Sequence, residues 1–212
     1  MRRLPVYFLL DTSGSMKGEP IESVKVGLQT MIAGLRQDPF ALESVHLCLI
    51  TFDKEAKVLT PLTSVEVFQI PEITPPDSGP THLGAALEVL CQRVDGDVRR
   101  GSGEIKGDWK PLLFIMTDGS PSDLRKYRDN IPEVKKRGFG EIVACAAGMK
   151  AKEEHLRELA NIVVCLDTMD GPTFMKFFKW VSASISMGNM SMGASSQVML
   201  PPPPPEVRPV TT

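Results

Sequence analysis

Two carboxylates and three hydroxyls carry most of the chemistry this sequence offers. Asp11, Ser13 and Ser15 alternate in the run Leu9-Leu10-Asp11-Thr12-Ser13-Gly14-Ser15-Met16, where an apolar stretch breaks into a polar turn. Thr81 lies in Gly79-Pro80-Thr81-His82-Leu83-Gly84, and Asp118 follows the apolar run Phe114-Ile115-Met116-Thr117. Hard divalent cations take oxygen ligands, and Mg²⁺ takes about six at ~2.1 Å. Asp11 and Asp118 balance a divalent charge formally, while Ser13, Ser15 and Thr81 add neutral oxygens. Such a set leaves a ligand position open and the ion electrophilic, because hydroxyls quench its field less than carboxylates do. A carboxylate from a partner is the natural sixth ligand. Each segment alone also has an ordinary structural role, as a turn, a helix cap or an Asp-Gly bend.

These residues need a scaffold that brings distant loops together. Residues 4–10 and 112–117 form short apolar runs, expected as buried strands. Residues 44–52 and 56–62 alternate as β-strands around the turn Asp53-Lys54-Glu55, and 141–147 and 162–166 are further strands. Helical spacing marks residues 19–37, 81–94, 123–137, 152–160 and 173–185. Alternating strands and helices predict an α/β fold. It is a Rossmann-like, doubly wound, mostly parallel sheet with one antiparallel edge strand and helices on both faces. Ligands of such sheets collect beyond the carboxyl ends of strands where the winding reverses. If the first and fourth strands are central neighbours, Asp11 and Asp118 share one crevice. Gly14 and Gly119 are expected to relieve tight geometry there.

The 212 residues allow one domain plus a tail. The domain is expected over 1–186. A disordered tail, rich in Met, Ser and Gly and then in Pro (Pro201 to Pro205), is expected over 187–212 and excluded from the core. The net charge of −2 offers no basic excess for nucleic acid. No apolar run is long enough for membrane insertion. Cys48, Cys91, Cys145 and Cys165 make no Cys-x-x-Cys pair and lie in apolar segments, which predicts buried free thiols and a cytoplasmic location. His82 is expected to be solvated, Asp53 to be a turn residue, Trp109 to pack, and Ser120, Ser122 and Asp123 to cap the helix that follows them.

The pattern Asp11-x-Ser13-x-Ser15, then Thr81, then Thr117-Asp118-Gly119 resembles the metal-ion-dependent adhesion site (MIDAS) of von Willebrand factor type A (vWA) domains. The resemblance implies that Ser13, Ser15 and Thr81 contact Mg or Mn (or Ca) directly. It further implies that Asp11 and Asp118 act through water and that a partner's acidic group completes the shell. A narrower likeness, to the bacterial tellurium-resistance TerY family, rests on Met1-Arg2-Arg3-Leu4-Pro5-Val6, Lys106-Gly107-Asp108-Trp109-Lys110-Pro111-Leu112, Ala144-Cys145-Ala146-Ala147-Gly148 and Phe177-Phe178-Lys179-Trp180-Val181-Ser182. It implies a cytoplasmic stress-response component acting beside a protein phosphatase and a protein kinase.

A non-catalytic, metal-dependent protein-binding module is the expected function. One alternative is a Mg-dependent phosphohydrolase with Asp11 as nucleophile. Phosphatases of the haloacid-dehalogenase type need an acid two residues later, and here that residue is Ser13. The other alternative is metal-bridged capture of an oxyanion such as tellurite.

Overall fold

The computed structural model describes residues 2–103, 106–148, 151–191 and 200–210. Its elements in chain order are β1 (Leu4–Asp11), α1 (Glu19–Gln37), α2 (Pro39–Ser44), β2 (Val45–Phe52), β3 (Ala56–Ser64), α3 (Leu83–Asp97) and β4 (Leu112–Thr117). There follow α4 (Leu124–Lys136), β5 (Glu141–Ala147), α5 (Glu153–Leu159), β6 (Ile162–Leu166), α6 (Gly171–Ser191) and β7 (Val207–Pro209). One sheet contains all seven strands in the order β3-β2-β1-β4-β5-β6-β7. The winding reverses between β1 and β4, which pair in parallel from Val6↔Leu112 to Leu10↔Met116.

Side-chain alternation explains why β1 is central. Leu4, Val6, Phe8 and Leu10 enter the core beneath α1 and α6, while Tyr7 and Leu9 enter the core beneath α3 and α4. A strand buried on both faces has no room for a polar side chain until it leaves the sheet, which it does at Asp11. Phe8 stacks on Phe114 across the β1–β4 pair, with ring centroids 5.3 Å apart.

The helices pack closely where small residues allow it. An ideal Cβ on Gly27 would lie 2.2 Å from Cδ2 of Phe178, and one on Gly84 would lie 2.4 Å from the Tyr127 backbone nitrogen. Gly27→Ala is therefore expected to push α6 off α1 at a cost of about 1–3 kcal/mol. Thermal unfolding checks this, at about 2–4 °C of Tm per kcal/mol for a chain of this size.

Both ends of the sheet are antiparallel. The expected β2–β3 hairpin supplies one. The other corrects the reading of a tail over 187–212. Residues 187–191 continue α6, and β7 pairs with β6 through Val164↔Pro209, Cys165↔Arg208 and Leu166↔Val207. Val207 is fully buried, Val210 N–H donates to the Val163 carbonyl (2.8 Å), and Trp180 Nε1 donates to the Pro201 carbonyl (2.8 Å). The proline run does not exclude the segment. Polyproline II is already extended, its carbonyls remain acceptors, and the open edge of β6 needs partners. Residues 192–199 of that segment lie outside the described residues.

Cys48, Cys91 and Cys145 are buried, Cys165 is half-buried, and all four are free thiols. Burial pushes the Cys48 thiol up to about 12 and, with the neighbouring Glu153 carboxylate, that of Cys165 to about 11. Among the described residues, no helix is long and apolar enough to cross a membrane.

Candidate metal centre

The alternation along the two central strands decides where Asp11 points. Leu9 and Ile115 face the α3/α4 side, so Asp11 and Thr117, two positions on, face it too. Thr117 Oγ1 donates to Asp11 Oδ2 at 2.5 Å, and the Ser13 backbone N–H donates to Asp11 Oδ1 at 2.8 Å. Asp11 is 1% exposed. Burial raises its pKa to about 6, against the pull of the hydrogen bonds from Thr117 and Ser13, with a further push from the Asp118 charge.

The remaining donors follow the chain outward. Ser13 is buried and extended (φ −58, ψ 165), and a single 3-10 turn, Gly14–Met16, lifts Ser15 to the surface. Ser13 Oγ and Ser15 Oγ lie 3.2 Å apart, and Ser15 Oγ donates to Asp118 Oδ1 at 2.9 Å. Asp118 and Thr81 are both buried. Thr81 Oγ1 sits over Gly119, 3.3 Å from where a Cβ would be. The first and third loops thus meet through Ser15 and Asp118, and the second and third through Thr81 and Gly119.

Gly14 and Gly119 are small for steric reasons and not for φ, since neither has a positive φ. A Cβ on Gly14 would meet the Ser78 Cα at 2.6 Å, because the 77–79 loop lies directly over the 3-10 turn. Lys17 pairs with Asp77 across the same contact.

Three supports were not foreseen. Ser122 does not cap α4. Its Oγ accepts the Thr81 N–H (3.1 Å), and its own N–H donates to the Thr81 carbonyl (2.8 Å). The Asp123 side chain does not cap α4 either. It accepts the N–H groups of Gly84 (3.0 Å) and Ala85 (2.9 Å), closing the first turn of α3. Thr81 accordingly does not open α3, whose N-cap is His82. Asp53 is a turn residue, accepting the Glu55 N–H at 3.1 Å, and it also joins two loops. Thr12 Oγ1 donates to its carboxylate at 3.3 Å and His82 N–H to its carbonyl at 2.9 Å. His82 Nδ1 lies 2.9 Å from the Lys54 carbonyl, so the ring is anchored and only part-exposed. Trp109 packs against the core with Arg2 over its ring. The Ser-Pro-Ser-Asp spacing holds the signal for Ser122 and Asp123, but it does not tell which helix they serve.

The donor set can be tested against an octahedral ion. Adjacent ligands at ~2.1 Å from the ion stand about 3.0 Å apart. The Ser13–Ser15 separation of 3.2 Å matches such an edge, and Asp118, 2.9 Å from Ser15 Oγ, is close enough to hold a water of the ion's shell. Among the described residues no three His, Cys, Asp or Glu side chains gather as a metal cluster. The set is instead rich in hydroxyls, which suits Mg²⁺, Mn²⁺ or Ca²⁺ in preference to a soft metal. The residues fit the group.

A sequence profile of the von Willebrand factor type A domain matches residues 6–169. Matrilin-1 of Gallus gallus is 26% identical over 160 residues, covering 74% of this chain and 31% of matrilin-1. Proximal thread matrix protein 1 from the mussel byssus superposes with a TM-score of 0.68 at 16% identity, over 87% of this chain and 48% of that one. Its structure has a zinc-occupied MIDAS motif. The von Willebrand factor type A protein of Catenulispora acidiphila gives a TM-score of 0.64 at 16% identity, over 88% and 43% of the two chains. This chain therefore spans about a third of matrilin-1 and about half of the mussel protein. With most of its length covered by the profile, the chain belongs to the von Willebrand factor type A domain family.

Proposed function

We propose that this protein is a metal-ion-dependent protein-binding module. Ser13, Ser15 and Thr81 hold Mg²⁺ or Mn²⁺ directly, Asp11 and Asp118 act through water, and a partner's carboxylate fills the open position. The observation that carries the reading is the Ser13–Ser15 hydroxyl pair at the spacing of adjacent ligands, hydrogen-bonded on to Asp118 at the sheet's switch point. Burial of Asp11, Ser13, Thr81 and Asp118 beside an exposed Ser15 leaves one side open for a partner. The bound ion supplies an electrophilic attachment point for an acidic side chain. The zinc-occupied MIDAS motif of the mussel protein supports metal binding by this architecture.

The role is binding and not catalysis. The residue two positions after Asp11 is Ser13, which cannot protonate a phosphate leaving group as a carboxylic acid would. The physiological setting we propose is a cytoplasmic tellurium-resistance or stress-response system, with its protein phosphatase and protein kinase as candidate partners. That setting rests on the TerY-like runs alone. Metal-bridged binding of tellurite is the lesser alternative, because two carboxylates repel an anion unless a cation lies between them. Calorimetry with tellurite, with and without Mg²⁺, separates the two.

The decisive experiment immobilises the protein and compares partner capture in Mg²⁺ and in chelator. Capture is expected in Mg²⁺ only, and competition by an aspartate-containing peptide is expected to remove it. Capture that persists unchanged in chelator overturns the proposal.

A further inference from the structure

A polar cavity of about 740 Å³ opens at the end of the sheet opposite the metal centre. It lies where β1 and β4 begin, eight residues of β1 away from Asp11, or about 25 Å along the strand. In a chain of net charge −2, six cations line it against three carboxylates. Those carboxylates are already committed. Asp108 is gripped by Arg3 at 2.6 Å, Asp95 by Arg137 at 2.6 Å, and Glu133 by Lys136 at 2.6 Å. Arg2, Arg99, Arg100 and Lys110 also line the cavity, and among the described residues none of the four forms an ion pair with a carboxylate. Lys136 sits in the last turn of α4 and Arg137 caps it, where they complement the helix carbonyls. Arg2 and Lys110 have no such role, since they come from the segments entering β1 and β4.

Arg2 is held in place. Its Nε and Nη2 donate to the carbonyls of Gly107 (2.6 Å) and Asp108 (3.0 Å), and its guanidinium lies 3.6 Å from the Trp109 ring centroid. This fixes one cation and covers a face of the aromatic ring that a nucleobase would need. Beyond the helix end, Arg99 N–H donates to Asp108 (2.8 Å), which anchors the arginine pair to the same loop. Like charges held together repel unless an anion joins them, and a concave wall concentrates their field. Guanidinium forks bind the paired oxygens of carboxylate and phosphate groups, and a cluster of cations favours the higher charge of a phosphoryl group.

We propose that this cavity is a phosphoryl-binding site, independent of the metal centre, formed by Arg2, Arg99, Arg100 and Lys110. Its ligand is a phosphate monoester or diphosphate group, either free or carried on a protein side chain. The protein then has one anion-capturing end that depends on metal and one that does not.

The test is calorimetry in chelator at physiological salt, using pyrophosphate in one arm and a phosphoserine peptide in the other. Saturable binding of at least one probe is expected. It should weaken by about tenfold or more in Arg99→Ala/Lys110→Ala, as loss of two charge-assisted contacts requires. It should be unchanged in Asp11→Asn, whose site is at the far end. Binding of the peptide alone assigns the site to phosphoproteins, and binding of both probes also admits free phosphates. Failure of both probes to bind at millimolar concentration overturns the proposal, as does binding that the double variant leaves intact. Arg99 and Lys110 are exposed, and circular dichroism of the double variant is expected to match wild type.

Discussion

Millimolar Mg²⁺ is expected to raise the Tm of the wild-type chain by about 3–6 °C, and to leave the Tm of Ser13→Ala/Ser15→Ala unmoved. A ligand at ten times its Kd stabilises a fold by about 1.4 kcal/mol, and each kcal/mol is worth about 2–4 °C here. The modest figure follows from the donor set: three of the five proposed groups are neutral hydroxyls, so the ion is held weakly until a partner's carboxylate joins it. Ser13 and Ser15 stand 3.2 Å apart, and their hydroxyls occupy adjacent ligand positions. Removing both is expected to weaken ion affinity by about 100-fold or more, since disturbing outer-shell groups alone costs 10–100-fold. The fold itself should survive. Ser15 is exposed, and the backbone N–H of Ser13, which holds Asp11, is kept. A Mg²⁺-dependent rise in Tm that persists in the double variant removes these hydroxyls from the site.

Asp11→Asn is expected to do two opposite things: abolish the response to Mg²⁺ and stabilise the metal-free protein. Burial raises the Asp11 pKa to about 6 in the fold, whereas an unfolded aspartate titrates near 3.9. An acid whose folded pKa is raised binds its proton more tightly in the native state. The contribution of Asp11 to stability is therefore greatest below pH ~4, falls as pH rises from about 4 to 6, and is level above that. The loss is on the order of 3 kcal/mol, at 1.36 kcal/mol per unit. The asparagine variant has no charge to desolvate, so in chelator its stability is expected to exceed wild type at pH 7 and to lose this pH dependence. Its amide can still accept from the Ser13 N–H and donate to Thr117 Oγ1, the two groups that hold Asp11. Denaturant unfolding in chelator at pH 4.5 and 7.5 checks this. Equal stability of the two proteins at pH 7.5 refutes the idea that Asp11 is held at a desolvation cost which the metal offsets.

The protein thus combines a strained charge at one end of its sheet with an uncompensated cluster of positive charge at the other. Asp11 stays ionised at neutral pH only against burial, and a cation would relieve it. Among the described residues Arg2, Arg99, Arg100 and Lys110 form no ion pair with a carboxylate, and an anion would relieve their mutual repulsion. The central strands β1 and β4 join the two ends, and Trp109 and Arg2 lie at the root of the same pair whose tips carry Asp11 and Asp118.

Local spacing alone determined a good deal of this. Apolar runs bounded by Asp11 and Asp118 marked two central strands, because a strand buried on both faces excludes polar side chains until it ends. The alternation Asp11, Ser13, Ser15 marked a loop of neighbouring oxygens; extended chain accounts for Asp11 and Ser13, whereas the 3-10 turn that carries Ser15 appears only in the structure. Helix periodicity placed α1, α3, α4 and α5 to within a few residues and the start of α6, which runs six residues past the expected end, while the six-residue α2 is too short to show a period. Only the tertiary structure could decide which helix Asp123 serves, since a carboxylate immediately before the start of α4 looks local in sequence but accepts from Gly84, 39 residues away, in space. The same holds for Asp53, which links Thr12 to His82, and for the proline-rich segment, whose burial depends on an open edge at β6 that nothing near Pro201 announces. Periodic burial is written along the chain, whereas hydrogen-bond partners are chosen by whichever donors and acceptors the packed helices and strands bring within 3 Å.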